Sequence, residues 1–276
     1  MPSVKPDQSE DQCSRSNNGR STGVLRLTAA RSRGRTVLSE AFRTAPFHVG
    51  MPSHRAGTGG AEVIVQGVGP GVFPADDLEI SLTAEAGADL TVRGQGATKV
   101  YPALDGHPGA TSRTSLAAAD GSRLVYLPGE LIPFQRAIYR QETLVEVADG
   151  GSLALSEILT PGRVAMGEQD RYSRLEIRLQ ARVSGQVVLI ERGVLEPSRR
   201  PLSVPGRNGP YTCAGSLYLF GDGWEVPDAD SDIGPVRWGG GGGEGFVVVR
   251  LFGPTAQAVR RTMESLLDAQ KRHASG

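Results

Sequence analysis

The sequence predicts a mainly β protein of many short strands with a C-terminal α-helix. Three observations lead there: apolar and polar residues alternate with period two over most of the chain, tight-turn pairs punctuate the alternation, and one helical pattern stands at the end. The clearest strand is 174–183. Leu175, Ile177, Leu179, Ala181 and Val183 fall on one face, and Arg174, Glu176, Arg178, Gln180 and Arg182 on the other. Segments 78–85 and 88–93 alternate in the same way. Asp120-Gly121 separates 111–119 from 123–127, Asp149-Gly150-Gly151 separates 142–148 from 152–159, and Ser184-Gly185 separates 174–183 from 186–193. Such pairs supply the positive φ of primed turns, so each junction reads as a hairpin. At least a dozen candidate strands result.

A Gly/Pro-rich zone at 196–211 leads to a shorter pair of strands, 215–220 and 246–252. Between them lie an acidic loop, 228–232, and five glycines, 239–243, which read as a mobile connector; a strand follows the glycines rather than the helix a phosphate cradle requires. The helix covers 255–272. Thr255 can cap its start, and Lys271, Arg272 and His273 suit the negative end of its dipole. Val259, Met263 and Leu266 form its apolar stripe, which fits packing on a sheet and equally fits a partner. Residues 1–22 are Ser, Asn, Asp, Gln and Arg with little to bury, so a disordered tail is expected, followed by one β-rich domain over 23–276.

Charge is balanced, 30 basic against 30 acidic side chains in 276 residues, so no global field draws nucleic acid or an anionic membrane. The two cysteines, Cys13 and Cys213, have no short spacing and fit a reducing compartment. No apolar run approaches the roughly 20 residues of a membrane span, and the N-terminus has no apolar secretory segment. The cytoplasm is the expected location.

Catalytic and cofactor signals are sparse. Glu157 shares a strand face with Leu153, Leu155 and Leu159, where a carboxylate needs a counter-charge or a polar channel. Arg163 is one expected partner, and a functional buried carboxylate is the other reading. Glu168 follows a Gly162–Gly167 loop that can bring it to Arg163. Glu157 and Glu168 could instead form a glycosidase acid/base pair, although aromatic residues are only 5% of the chain. The stretch from Gly94 to Lys99 lacks phosphate-loop spacing, and its glycines suit close backbone turning, with Lys99 expected to pair with a carboxylate. Gly67 to Gly71 has no dinucleotide-binding context. His48 and His54, in a Pro/Gly-rich loop, His107 and His273 make no short-spaced ligand pair, and no Gly-x-Ser-x-Gly element occurs. No catalytic residue and no tightly bound cofactor is expected.

Three motifs in order carry a family resemblance. Gly96-Ala97-Thr98-Lys99-Val100-Tyr101 resembles the Ala-Thr-Lys-Val/Phe-Tyr element of the urease accessory protein UreD. Leu127-Pro128 to Phe134 resembles that family's Leu-Pro-x-x-x-Ile-x-Phe, and Glu157 to Glu168 its Glu-x-x-x-x-Gly-Arg-x-x-x-Gly-Glu. Arg35 to Leu38 looks like the opening strand, Ala45-Pro46-Phe47 like the proline segment after it, and Gly71 to Leu78 falls on the family's glycine-rich loop. The chain departs at Pro74-Ala75, where the family has paired glycines, at Val92-Arg93 near its Thr-Thr, and at Pro102. At Pro74-Ala75 another loop shape is expected.

The resemblance implies a β-helical arrangement of short strands with two helices and a non-enzymatic role. Proteins like this bind urease apoprotein and a UreF-like partner, which recruits a GTPase, UreG, and together they insert nickel into urease. Nickel is then in transit, best held by weak oxygen donors, and Asp76, Glu130, Glu157 and Glu168 are the candidates. The stripe Val259, Met263 and Leu266 is the candidate partner surface. The rival readings are a carbohydrate-active all-β enzyme and a generic β-rich binding module.

Overall fold

A computed structural model describes residues 22–55, 59–103, 106–200, 208–227 and 234–273. Residues 1–21 of the expected tail 1–22 and the acidic loop at 228–232 therefore lie outside the described residues, and Thr22 opens the first strand. Eighteen strands and one α-helix are present among them. In chain order these are β1 (Thr22–Ser32), β2 (Arg35–Arg43), β3 (Phe47–Val49), β4 (Ser53–His54), β5 (Ala61–Gly67), β6 (Asp77–Ala84), β7 (Asp89–Gly94), β8 (Thr98–Val100) and β9 (Ala110–Ala118). They continue with β10 (Arg123–Leu127), β11 (Leu131–Pro133), β12 (Ile138–Val147), β13 (Ser152–Leu159), β14 (Arg174–Val183) and β15 (Gln186–Leu195). The last are β16 (Cys213–Gly221), β17 (Arg237–Gly243), β18 (Phe246–Gly253) and the helix α1 (Ala256–His273). One short 3-10 turn, Val164–Met166, is the other helical piece, so a second α-helix is absent from the described residues.

The chain winds as a β-solenoid. One sheet has the order β15-β14-β12-β9-β6-β1-β2, and the other runs β17-β18-β16-β13-β10-β7-β5-β3. Through the middle of the chain the long strands alternate between the sheets and pair in parallel with their counterparts one coil away: β6 with β9, β9 with β12, β12 with β14, and β7 with β10, β10 with β13. A short third side is made by β8 and β11, also parallel.

This corrects the reading of the Asp-Gly junctions. Gly121 and Gly150 do take positive φ, 58° and 69°. Yet the strands they join lie in different sheets, so they are coil corners and not hairpins. The corners stack: the Ala119 N–H donates to the Ala84 carbonyl at 2.9 Å, and the Ala148 N–H to the Ala118 carbonyl at 2.9 Å. Of the three turn pairs read from the sequence, Ser184-Gly185 is the one that closes a hairpin, β14 with β15, with both φ values positive. The five-glycine run is also corrected. It is the edge strand β17, paired antiparallel with β18.

Two apolar layers hold the structure. Between the sheets lie Leu25, Leu27, Leu82, Leu90, Leu116, Leu124, Leu153, Leu179 and Phe220. On the outside of the larger sheet, α1 packs Val259, Met263, Leu266 and Leu267 onto Val125, Ile158, Leu217, Leu219, Val249 and Leu251. Strand β13 is consequently apolar on both faces, as expected of a strand covered on both sides. Thr255 Oγ1 accepts from the Ala258 N–H at 3.1 Å and caps the helix. Arg93–Glu264 at 2.7 Å and Arg260–Glu130 tie its exposed side to the sheet.

Candidate functional site

A cavity of about 770 Å³ lies between the two sheets. Its origin is a change of residue type along the strands. On the smaller sheet one inward row is apolar, Leu82, Leu116, Val145 and Ala181 in register. Two residues towards the third side the row becomes Ile80, Thr114, Thr143, Leu179 and Glu191, and two further on Leu78, Ser112, Gln141, Ile177 and Gly193. The facing sheet changes in the same direction. Leu153 stands opposite Phe220, Leu155 opposite Tyr218, and Glu157 opposite Ser216, which is in turn opposite Arg250. Polar side chains with little bulk fill this end less completely than leucines would, and they leave wettable space.

Glu157 is the centre of the polar set. Gln141 Nε2 donates to its Oε1 at 2.6 Å, and the Tyr218 hydroxyl donates to its Oε2 at 3.4 Å. The same hydroxyl lies 3.1 Å from Glu191 Oε2. Arg250 donates to Glu191 at 2.5 Å, to Tyr218 at 3.1 Å and to Ser216 Oγ. Five strands thus contribute one network: β12, β13, β15, β16 and β18. Burial pushes the Glu157 carboxyl up to about 7, Glu191 pushes in the same direction, and Tyr218, Arg250 and Gln141 oppose the rise. Burial likewise pushes Tyr139, beside it on β12, up to about 12. The Tyr218 phenol is raised by burial and by Glu157, so it stays a neutral hydrogen-bond donor.

The other sequence candidates lie elsewhere. Glu168 is gripped by Arg163, with Nε at 2.8 Å and Nη2 on the other oxygen, and this hydrogen bonding holds its carboxyl below the usual range. Arg163 therefore does not serve Glu157, contrary to the sequence expectation; Gln141 and Tyr218 hydrogen-bond it, and Arg250 acts on it through space. Since Glu168 is absent from the cavity lining, the glycosidase pair has no geometric basis. Glu130 is bound to Arg260 on α1. Asp76 accepts from the Phe73 N–H at 2.8 Å and organises the loop before β6, with burial raising its carboxyl. That loop keeps a glycine-like backbone despite its alanine: Ala75 stands at φ 71°. Val259, Met263 and Leu266 face their own sheet and are at most 5% exposed, so a partner could reach them only by displacing the helix.

Lys99 makes no ion pair with a carboxylate among the described residues, contrary to the sequence expectation, and lines the cavity with the glycines of 67–71 and 94–96. Close approach explains Gly94: a Cβ there would sit 2.7 Å from the Gly129 nitrogen. His48 and His54 are in short strands and exposed, not in a loop. No group of three or more His, Cys, Asp or Glu among the described residues could hold a metal ion. The cavity lining instead includes two carboxylates, Glu157 and Glu191, with Gln141, Ser216 and Tyr218 beside them.

The family model described as "UreD urease accessory protein" matches residues 21–276. The chain belongs to the UreD family. It is 35% identical over 215 residues to the urease accessory protein UreD of Opitutus terrae, covering 76% of this chain and 75% of the relative. It is 31% identical over 252 residues to that of Cupriavidus necator, covering 87% and 86%. A third relative, from Acetivibrio thermocellus, is 28% identical over 196 residues, covering 71% and 74%. Membership assigns an accessory role in urease maturation, not an enzymatic one. No helix among the described residues is long and apolar enough to cross a membrane.

Proposed function

We propose that this chain is a scaffold for nickel insertion into urease, and that the inter-sheet cavity carries nickel in transit past Glu157. The observation behind this reading is a carboxylate placed in a polar cavity within a UreD-family solenoid, where an apolar side chain would pack better. Nickel is cargo here. Glu157 and Glu191 supply oxygen donors, while Gln141, Ser216 and Tyr218 supply neutral ones, so the ion is held weakly and released. Of the four carboxylates picked from sequence, Glu157 alone lines this path; Asp76, Glu130 and Glu168 position loops and the helix.

The chain works in the cytoplasm in a complex with urease apoprotein and a UreF-like protein, through which a UreG-like GTPase joins. Nucleotide chemistry belongs to that GTPase, in keeping with the missing phosphate-loop spacing in this sequence. The test is urease produced with the other accessory proteins, with and without this chain. Urease made without it is expected to be assembled but low in nickel and inactive. Full nickel content without the chain would overturn the proposal.

A further inference from the structure

Arg250 is the cation of the cavity network and is paired with Glu191. It sits on an inward strand face between Val248 and Phe252, so its charge points towards the passage assigned to a metal cation. A guanidinium fixed there would repel nickel. It is, however, held only by side chains: Glu191 at 2.5 Å, the Tyr218 hydroxyl at 3.1 Å and Ser216. Its side chain remains 40% exposed.

The neighbour on its far side is Gly239, directly opposite in register on the edge strand β17. A Cβ on Gly239 would meet nothing within 4 Å. Glycine in a strand interior weakens it and often marks a place where another group must come close. The side of β17 level with Arg250 is therefore open at Gly239, and a long flexible side chain can be accommodated there.

We infer that Arg250 is the gate of the cavity: a tethered cation that balances Glu191 and Glu157, and that yields its place to a divalent cation by swinging over Gly239. A monovalent ion gains no charge advantage over the guanidinium it displaces. A divalent ion does, because it interacts with both carboxylates at twice the charge. The arrangement thus selects divalent cations without a high-affinity site. This inference rests on the cation-passage reading of the cavity.

The test is calorimetric titration of the purified full-length chain with nickel ion alone at pH 7.5. Arg250→Gln keeps a hydrogen-bonding head for Tyr218 and Ser216 but removes the charge, and is expected to bind nickel at least tenfold more tightly. Adding Glu157→Gln to that variant is expected to abolish the gain. Gly239→Val leaves every charge in place and fills the space the guanidinium needs. It is expected to weaken nickel binding at least threefold, and it decides the matter alone if the Arg250 variant does not fold. Affinity of Arg250→Gln within twofold of the parent or weaker, a gain that survives the loss of Glu157, or unchanged binding by Gly239→Val would each overturn the gate. Failure of the nickel-insertion role reads out separately, as full nickel in urease matured with an altered Glu157, and leaves these titrations standing.

Discussion

Replacing Glu157 by Gln should make the protein's stability less sensitive to pH. The carboxyl titrates at about 7 in the fold against an ordinary 4.5. A carboxyl raised by folding contributes stability that is fully present below about 4.5 and is lost as pH rises through about 7. That difference corresponds to a ceiling of roughly 3 kcal/mol. Glu157 opens onto a cavity that water can enter, so about 1–3 kcal/mol is the appropriate range. Gln keeps the shape and the Gln141 and Tyr218 contacts but cannot ionise. Its removal orphans no arginine, because Arg250 remains paired with Glu191.

Thermal unfolding of parent and variant from pH 5 to pH 8 measures this directly. In a chain of this size 1 kcal/mol moves Tm by roughly 2–4 °C. The variant should gain on the parent by several degrees as pH rises, with most of the gain between pH 5 and 7. A Tm difference that is flat across the range, or one that favours the parent at pH 8, would falsify the claim that Glu157 is the buried ionising group.

Other perturbations separate the layers of the fold. Leu266→Asp places a charge under α1 against the larger sheet and should cost on the order of 2–5 kcal/mol; a denaturant midpoint equal to the parent's would show that the stripe is not buried. Gly129→Ala drives a methyl into the Gly96 carbonyl. It should cost about 1–3 kcal/mol and disturb the cavity rim, which chemical denaturation would reveal as a lower midpoint. Removal of residues 1–21, whose composition offers little to a core, should leave urease activation at the parental level; a loss of activation would assign the tail a role.

Much of the strand pattern was legible because inward and outward residues alternate so regularly. The bounds of β13, Ser152–Leu159, and β14, Arg174–Val183, follow from apolar spacing alone. What spacing cannot state is which strand pairs with which. An Asp-Gly corner has the same local φ requirement whether the next strand folds back beside the last or crosses to the other sheet, so the solenoid corners read as hairpins. The five glycines misled for a related reason: their strand is held by pairing to β18, and their own propensity argues against it.

The site was half visible. Glu157 stood out as a charge among leucines. Glu191, between Leu189 and Gly193, and Arg250, between Val248 and Phe252, carry the same signature on their own strands, and reading all three together would have indicated a shared polar interior. Their meeting depends on register between strands more than 30 residues apart, which a single sequence does not display. The pairing of Glu168 with Arg163 was accessible because both lie in one short loop.

We propose above that nickel passes Glu157 on its way to urease. The most direct test is the nickel content of urease matured with Glu157→Gln, in a preparation where the accessory complex forms in normal amount. The expected result is a complex of unchanged composition with urease that carries markedly less nickel and correspondingly less activity. Urease with its full nickel complement would contradict the account and leave Glu157 as a structural residue.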